Sequence, residues 1–207
     1  MTKRITNLRN VAAIVACLAV MTLPSCSKDN PATNPDNPGG QGGTTTQYFG
    51  IKQATIVYDF IGTTTVYFDD YGKKIRIAYA LGNDYVDDYT YLMDEAANKA
   101  YKLDDKQKTY QVVPLTEVQD QRNAFVLNIS DTNFAAAGYK KTTETIAGKS
   151  CSIYSATSNG TTVSVGGWGG IVFVMQTDGG DLIRATSFSE TVPANMFTLP
   201  SDYTLQQ

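Results

Sequence analysis

Between Tyr48 and Tyr203 apolar and polar residues alternate with a period of two, in short runs broken roughly every eight to twelve positions by turn residues. Only a strand has that period, because successive side chains leave opposite faces of a pleated backbone. The clearest run is Lys74 to Leu81, with Ile75, Ile77, Tyr79 and Leu81 on one face and Lys74, Arg76, Ala78 and Ala80 on the other. One-sided runs of this kind predict half-buried antiparallel strands. Turns are signalled at Gly62-Thr63, Asp69 to Gly72, Gly82 to Asp84, Asp104 to Lys106, Ala147 to Lys149, Ser158 to Gly160 and Asp178 to Asp181, all rich in residues that tolerate positive φ or bond their own backbone. They predict roughly nine to eleven strands. The run Ile171 to Met175 is apolar on both faces, so something must cover its second side.

Two short helices interrupt the pattern between Pro114 and Tyr139. One is predicted with Thr116 as its cap and Gln119 at the capping-box position. The other is predicted over Asp131 to Ala137, with Ser130 as cap and Gly138 as a left-handed stop.

The chain begins differently. Lys3, Arg4 and Arg9 precede an apolar run from Val11 to Met21, the pattern of an export signal, and far short of the roughly 20 residues a membrane-spanning helix needs. Leu23-Pro24-Ser25-Cys26 follows and resembles the lipobox of bacterial lipoproteins, which implies cleavage after Ser25 and a lipid on Cys26. Two or three acyl chains would hold the protein on a membrane. Ser27, where an aspartate would favour the inner membrane, points to the outer membrane, and Ser27-Lys28-Asp29-Asn30 looks like the short signals that carry lipoproteins to the cell surface. Residues 27–47 are rich in Asn, Pro, Gly and Thr and predict a disordered tether holding the domain roughly 25 Å from the lipid. The expected organisation is therefore a signal peptide over 1–25, a lipidated cysteine and tether over 26–47, and a single β domain over 48–207.

Removal of the signal takes away three basic residues and no acidic one, moving the net charge from −3 to −6. That balance argues against nucleic acid as a partner. Of three cysteines, Cys17 leaves with the signal and Cys26 carries lipid, so Cys151 stays alone and reads as a buried structural thiol. Histidine is absent, which removes the commonest general base and zinc ligand. No cofactor, metal site or catalytic residue is expected, and the domain reads as a non-enzyme.

Several motifs fail on inspection. Gly148-Lys149-Ser150 imitates the end of a phosphate loop, but the earlier glycine is Thr143 and a strand follows. Asp84 and Glu95 have the separation of the outer ligands of a calcium loop, but Val86 and Tyr89 break it, and Asp87, Asp88 and Asp94 read with them as a solvated turn and strand edge. Gly166-Gly167-Trp168-Gly169-Gly170 opens a strand, so it reads as a bend or bulge presenting the only tryptophan. Eleven tyrosines and phenylalanines lie between Tyr48 and Tyr91. Tyrosine suits a half-exposed sheet face, and a cluster of this kind can also line a concave site for an apolar or sugar ligand.

Tyr67 to Lys74, Tyr101 to Asp104 with Tyr110, the hairpin Thr145 to Cys151 and the ending Phe197 to Tyr203 together resemble the lipoprotein domains called DUF4412, which are similar to the lipoprotein carriers LolA and LolB. The likeness spans most of Tyr48 to Tyr203. It implies a strongly curved antiparallel sheet, an unclosed half-barrel whose hollow is lidded by helices and takes acyl chains in the carriers. The carriers' N-terminal helix and gating arginine have no counterpart here, so acyl transfer is not implied. The expected function is binding of an apolar ligand, such as an acyl chain, or of an envelope component, in a cavity lined by Trp168, Ile171, Val172, Phe173, Val174 and Met175. The competing expectation is a surface module that binds protein or glycan through exposed tyrosines, with a filled core. The sequence leaves the oligomeric state open.

Overall fold

The computed structural model describes residues 46–60, 62–82, 88–128, 131–136, 138–178 and 180–206, all within the compact unit Pro35–Gln207. The expected signal peptide, Cys26 and nearly all of the tether lie outside the described residues, as do Asn83 to Asp87, Ser130, Ala137 and Gly179.

The elements run β1 (Ala54–Asp59), β2 (Thr63–Asp69), β3 (Lys74–Ala80), β4 (Tyr89–Asp94), β5 (Lys99–Asp104), β6 (Thr109–Val112), α1 (Leu115–Asn123), α2 (Asp131–Ala136), β7 (Lys140–Ile146), β8 (Lys149–Ser158), β9 (Thr161–Trp168), β10 (Ile171–Thr177), β11 (Gly180–Ser189) and β12 (Thr204–Leu205). All twelve strands form one open, curved sheet in the order β12-β6-β5-β4-β3-β2-β1-β11-β10-β9-β8-β7. Every pairing is antiparallel except β12 with β6. The mainly-β antiparallel sheet is thus as the alternation predicts, and its open curve is as the resemblance implies. The twelfth strand is the two-residue β12, too short to carry a period.

Two meanders make the sheet, β1 to β6 and β7 to β11, joined where β11 pairs with β1. The connection from β6 to β7 therefore runs from near one edge to the opposite edge, and it carries both helices. On β3, Ile75, Ile77 and Tyr79 are buried and their strand neighbours are not. They share a face with Val66 and Phe68 of β2 and with Tyr91 and Met93 of β4. This inner face holds the main core, under α1, whose Val118 is fully buried. Each fully buried Ile or Phe contributes about 1.5–3 kcal/mol.

Helix α1 starts from Pro114 and not from Thr116. Pro114 is extended (φ −57°, ψ 142°), makes no side-chain cap, and its carbonyl accepts the Glu117 amide. A fixed proline φ suits a helix entry without a capping hydroxyl, which leaves Thr116 inside the first turn. Helix α2 ends as expected, with Gly138 at φ +79° and the Tyr139 amide bonded to the Phe134 carbonyl.

The outer face carries a second, smaller core, Leu92 and Leu103 with Tyr203, against which Tyr101, Tyr110, Phe197 and Leu199 pack. The C-terminal segment lies over the β4–β6 end of the sheet in this way. Its Tyr203 hydroxyl donates to Asp105, which also accepts from Thr90 at 2.8 Å.

Candidate functional site

Of the residues expected to line an apolar hollow, Ile171, Phe173 and Val174 lie in the main core and Trp168 and Met175 pack against it. Ile171, Phe173 and Val174 are 0% exposed and Val172 3%, while Met175 and Trp168 are half-buried. The strand's start is covered by chain leaving α1: Val126 bridges Ile171, the Leu127 amide bonds the Gly170 carbonyl, and the Val172 amide bonds the Phe125 carbonyl. The Val172 carbonyl accepts the buried Tyr58 hydroxyl at 2.9 Å. Trp168 sets its ring edge-on to Phe188 at 5.7 Å. The Lys149 ammonium covers Trp168 at 4.1 Å and pairs with Glu190.

The glycine cluster is not a flexible bend. Trp168 pairs with Ile171, and Gly169 and Gly170, at φ +59° and +74°, make a tight two-residue hairpin of the kind that demands positive φ. Gly167 is required for another reason, since a Cβ there would lie 1.8 Å from the Ile171 carbonyl oxygen. Phe173 sits in a bulge between Val172 and Val174, a detail that alternation could not announce.

An accessible concavity lies at the other end of the sheet. It is a half-open cleft of about 280 Å³ formed where β4 begins, β5 ends and β6 and β12 run alongside. Register builds it: Tyr89 lies opposite Asp104 and Asp104 opposite Thr109, and in the next row Tyr91 lies opposite Lys102 and Lys102 opposite Gln111. Directly opposed residues point to one side of a sheet, so both rows face inward. Tyr79, Tyr89 and Tyr91 form an aromatic cluster, with Tyr79 and Tyr89 4.8 Å apart. The helix clasps two of them: the Tyr79 hydroxyl donates to Gln121 and the Tyr91 hydroxyl to Glu117, each at 2.9 Å. Burial pushes all three phenols above their ordinary pKa, so they stay neutral and act as rings and hydroxyls, not as bases.

Polar groups fringe that floor. Lys102 lies 4.9 Å over the Tyr89 ring and forms no ion pair among the described residues. One Asp88 oxygen accepts the Leu81 amide, and one Asp104 oxygen accepts the amides of Lys106 and Gln107. The Gln111 side-chain amide bonds that of Gln206 beyond β12 at 2.5 Å. The Thr109 hydroxyl is buried in the wall without a partner.

A second polar node stands at the opposite end of β4. Arg122 of α1 is 2% exposed, bonds Glu95 at 2.6 Å and lies 3.3 Å over the Tyr48 ring. Glu95 also accepts from Gln119 and Tyr48. This node pins the helix and the entering chain to the β4–β5 turn. Sequence reasoning missed it, although Arg122 stands four residues after buried Val118, on the same helix face. It also missed the cleft. The signal available was the pair of two-residue patterns Tyr89-x-Tyr91 and Lys102-x-Asp104, which become one surface only when β4 and β5 pair in that register. Among the described residues no group of three acidic or sulfur side chains could hold a metal.

These features define an open-sheet β domain with a helix-clasped tyrosine cluster and a polar cleft beside it. The model of the domain of unknown function DUF4412 matches residues 53–167, more than half of the chain, and the chain belongs to that family. No curated protein matches it. Among solved structures, an uncharacterized conserved protein from Thermus thermophilus is similar at 12% identity, over 74% of this chain and 88% of that one, with a TM-score of 0.42.

Proposed function

We propose that this domain is a non-catalytic binding module of the bacterial envelope, held on the outer membrane through lipid on Cys26, whose ligand enters the β4–β6 cleft and is small and polar. The observation that carries this reading is the contrast between the two candidate sites. Ile171, Phe173 and Val174 are sealed in packed core, whereas the open cleft is lined by Tyr89, the Lys102 ammonium and the polar side chains of Asp88, Asp104 and Gln111. An acyl chain in the core would have to part groups packed at crystal-like density. An acyl chain in the cleft would strip water from the Lys102 ammonium and from the carboxylates of Asp88 and Asp104 without replacing its bonds, at several kcal/mol in total.

The test is a side-by-side titration of the full chain in detergent. Oleate should leave Trp168 emission unchanged, while a hydrolysate of small polar envelope components should shift the NMR signals of Tyr89, Lys102 and Gln111. Oleate quenching of Trp168, with those signals unmoved, would overturn the proposal and restore the apolar hollow.

A further inference from the structure

Resting on the cleft reading above, we infer that the ligand is a neutral sugar ring, a single pyranose or the end of a glycan, held beside Tyr89 and Lys102. The groups left open at the cleft are of both kinds. Lys102 supplies ammonium donors with no carboxylate partner among the described residues, and Thr109 supplies a buried hydroxyl with no partner. Asp88 and Asp104 each spend one oxygen on local backbone amides, which leaves the other as acceptor. Register places Tyr89, Asp104 and Thr109 in one row and Lys102 and Gln111 in the next, so donors and acceptors alternate across neighbouring strands about 4.8 Å apart.

The chemistry then selects among ligand classes. A phosphate or other compact anion meets two carboxylates, and a polyamine meets Lys102. A sugar hydroxyl both donates and accepts, so adjacent hydroxyls can take from Lys102 or Thr109 while giving to Asp88 or Asp104. The C–H face of the ring meanwhile packs against the part of Tyr89 that lines the cleft. Size agrees, because about 280 Å³ falls below the roughly 300–1,000 Å³ of sites that enclose drug-sized ligands. The Thr109 hydroxyl is buried in the cleft wall without a partner, which is costly, and a ligand hydroxyl bonds it only if the wall shifts to expose it.

The experiment uses the full chain in a detergent without a sugar head group, titrated with methyl glycosides of glucose, galactose, mannose and N-acetylglucosamine, and with inorganic phosphate, spermine and oleate as contrasts. At least one glycoside should bind. Thr109→Val and Lys102→Gln should each weaken it at least tenfold with little change in Tm, and Tyr89→Leu should abolish it. Spermine or phosphate binding that depends on Lys102 or Thr109, with no glycoside bound, would overturn the sugar inference and leave the polar cleft standing. Oleate binding indifferent to all three substitutions would sink the cleft reading as well. Binding of no glycoside counts against the sugar.

Discussion

Cys151 and Tyr58 are both buried in the main core, and both hold their protons harder than in water. Burial pushes the Cys151 thiol from 9.0 up to about 11, and burial also raises the Tyr58 phenol. The unfolded chain releases these protons first as pH rises, so above about pH 9 it binds fewer protons than the native state and stability must fall. With no histidine in the chain, no imidazole contributes a pH dependence between about 5 and 8. Melting temperature should therefore stay level from about pH 6 to 8.5 and drop by several degrees between about 9 and 11, at roughly 2 to 4 °C per kcal/mol. Cys151→Ala should blunt the onset of that drop, and a Tm unchanged up to pH 11 would contradict it. The burial of Cys151 was legible from its place in a strand, but its partners were not. The same holds for Arg122: its charge reads as surface, and only the fold brings Glu95 within 2.6 Å of it from 27 residues away.

Strand β9 shows how an element can depend on one missing atom. Gly166 and Gly167 leave room for β8 and for the bulged start of β10, and the two positions differ in what opposes an added Cβ. At Gly167 the nearest atom is a backbone oxygen at 1.8 Å, whereas at Gly166 it is the Ile153 Cδ1 at 2.2 Å, the movable end of a side chain, with the Ser152 oxygen at 2.7 Å behind it. Gly167→Ala should thus cost about 3 kcal/mol or more, beyond the usual range for overpacking, and Gly166→Ala less. Urea denaturation of the two variants checks this, and equal losses would refute it. In the sequence, strands with one buried face were plain, β3 above all. Residues 166–170 read as a bend or bulge: a bulge does lie opposite Gly166 and Gly167, while the hairpin at Gly169-Gly170 has no signal of its own because five small or aromatic residues in a row erase the period. The turn at Glu95 to Asn98 gave no glycine or proline, yet Asn98 takes φ +53° there.

At the scale of the molecule, anchoring and folding should separate cleanly. The tether is predicted to contribute nothing to the core, so Cys26→Ala should leave Tm unchanged and move the protein from the membrane fraction to the soluble one. Fractionation followed by immunoblotting checks this, and membrane retention of the variant would defeat the lipid anchor. Composition, alternation and turn chemistry by themselves determined that residues beyond Tyr48 make a mainly antiparallel sheet with a helical interruption, because strand period and turn residues act over a few neighbours; its curve was implied only by the family resemblance. Which face those helices cover was decided only in three dimensions, since β6 and β7 lie near opposite edges of one sheet and the chain between them has to cross it. The cleft belongs to the same category. Tyr89, Lys102, Thr109 and Gln206 are spread over more than a hundred residues, and each is ordinary alone. Strand register and the docking of the C-terminal segment on the outer face place them around one opening, and neither contact has a local signature in the chain.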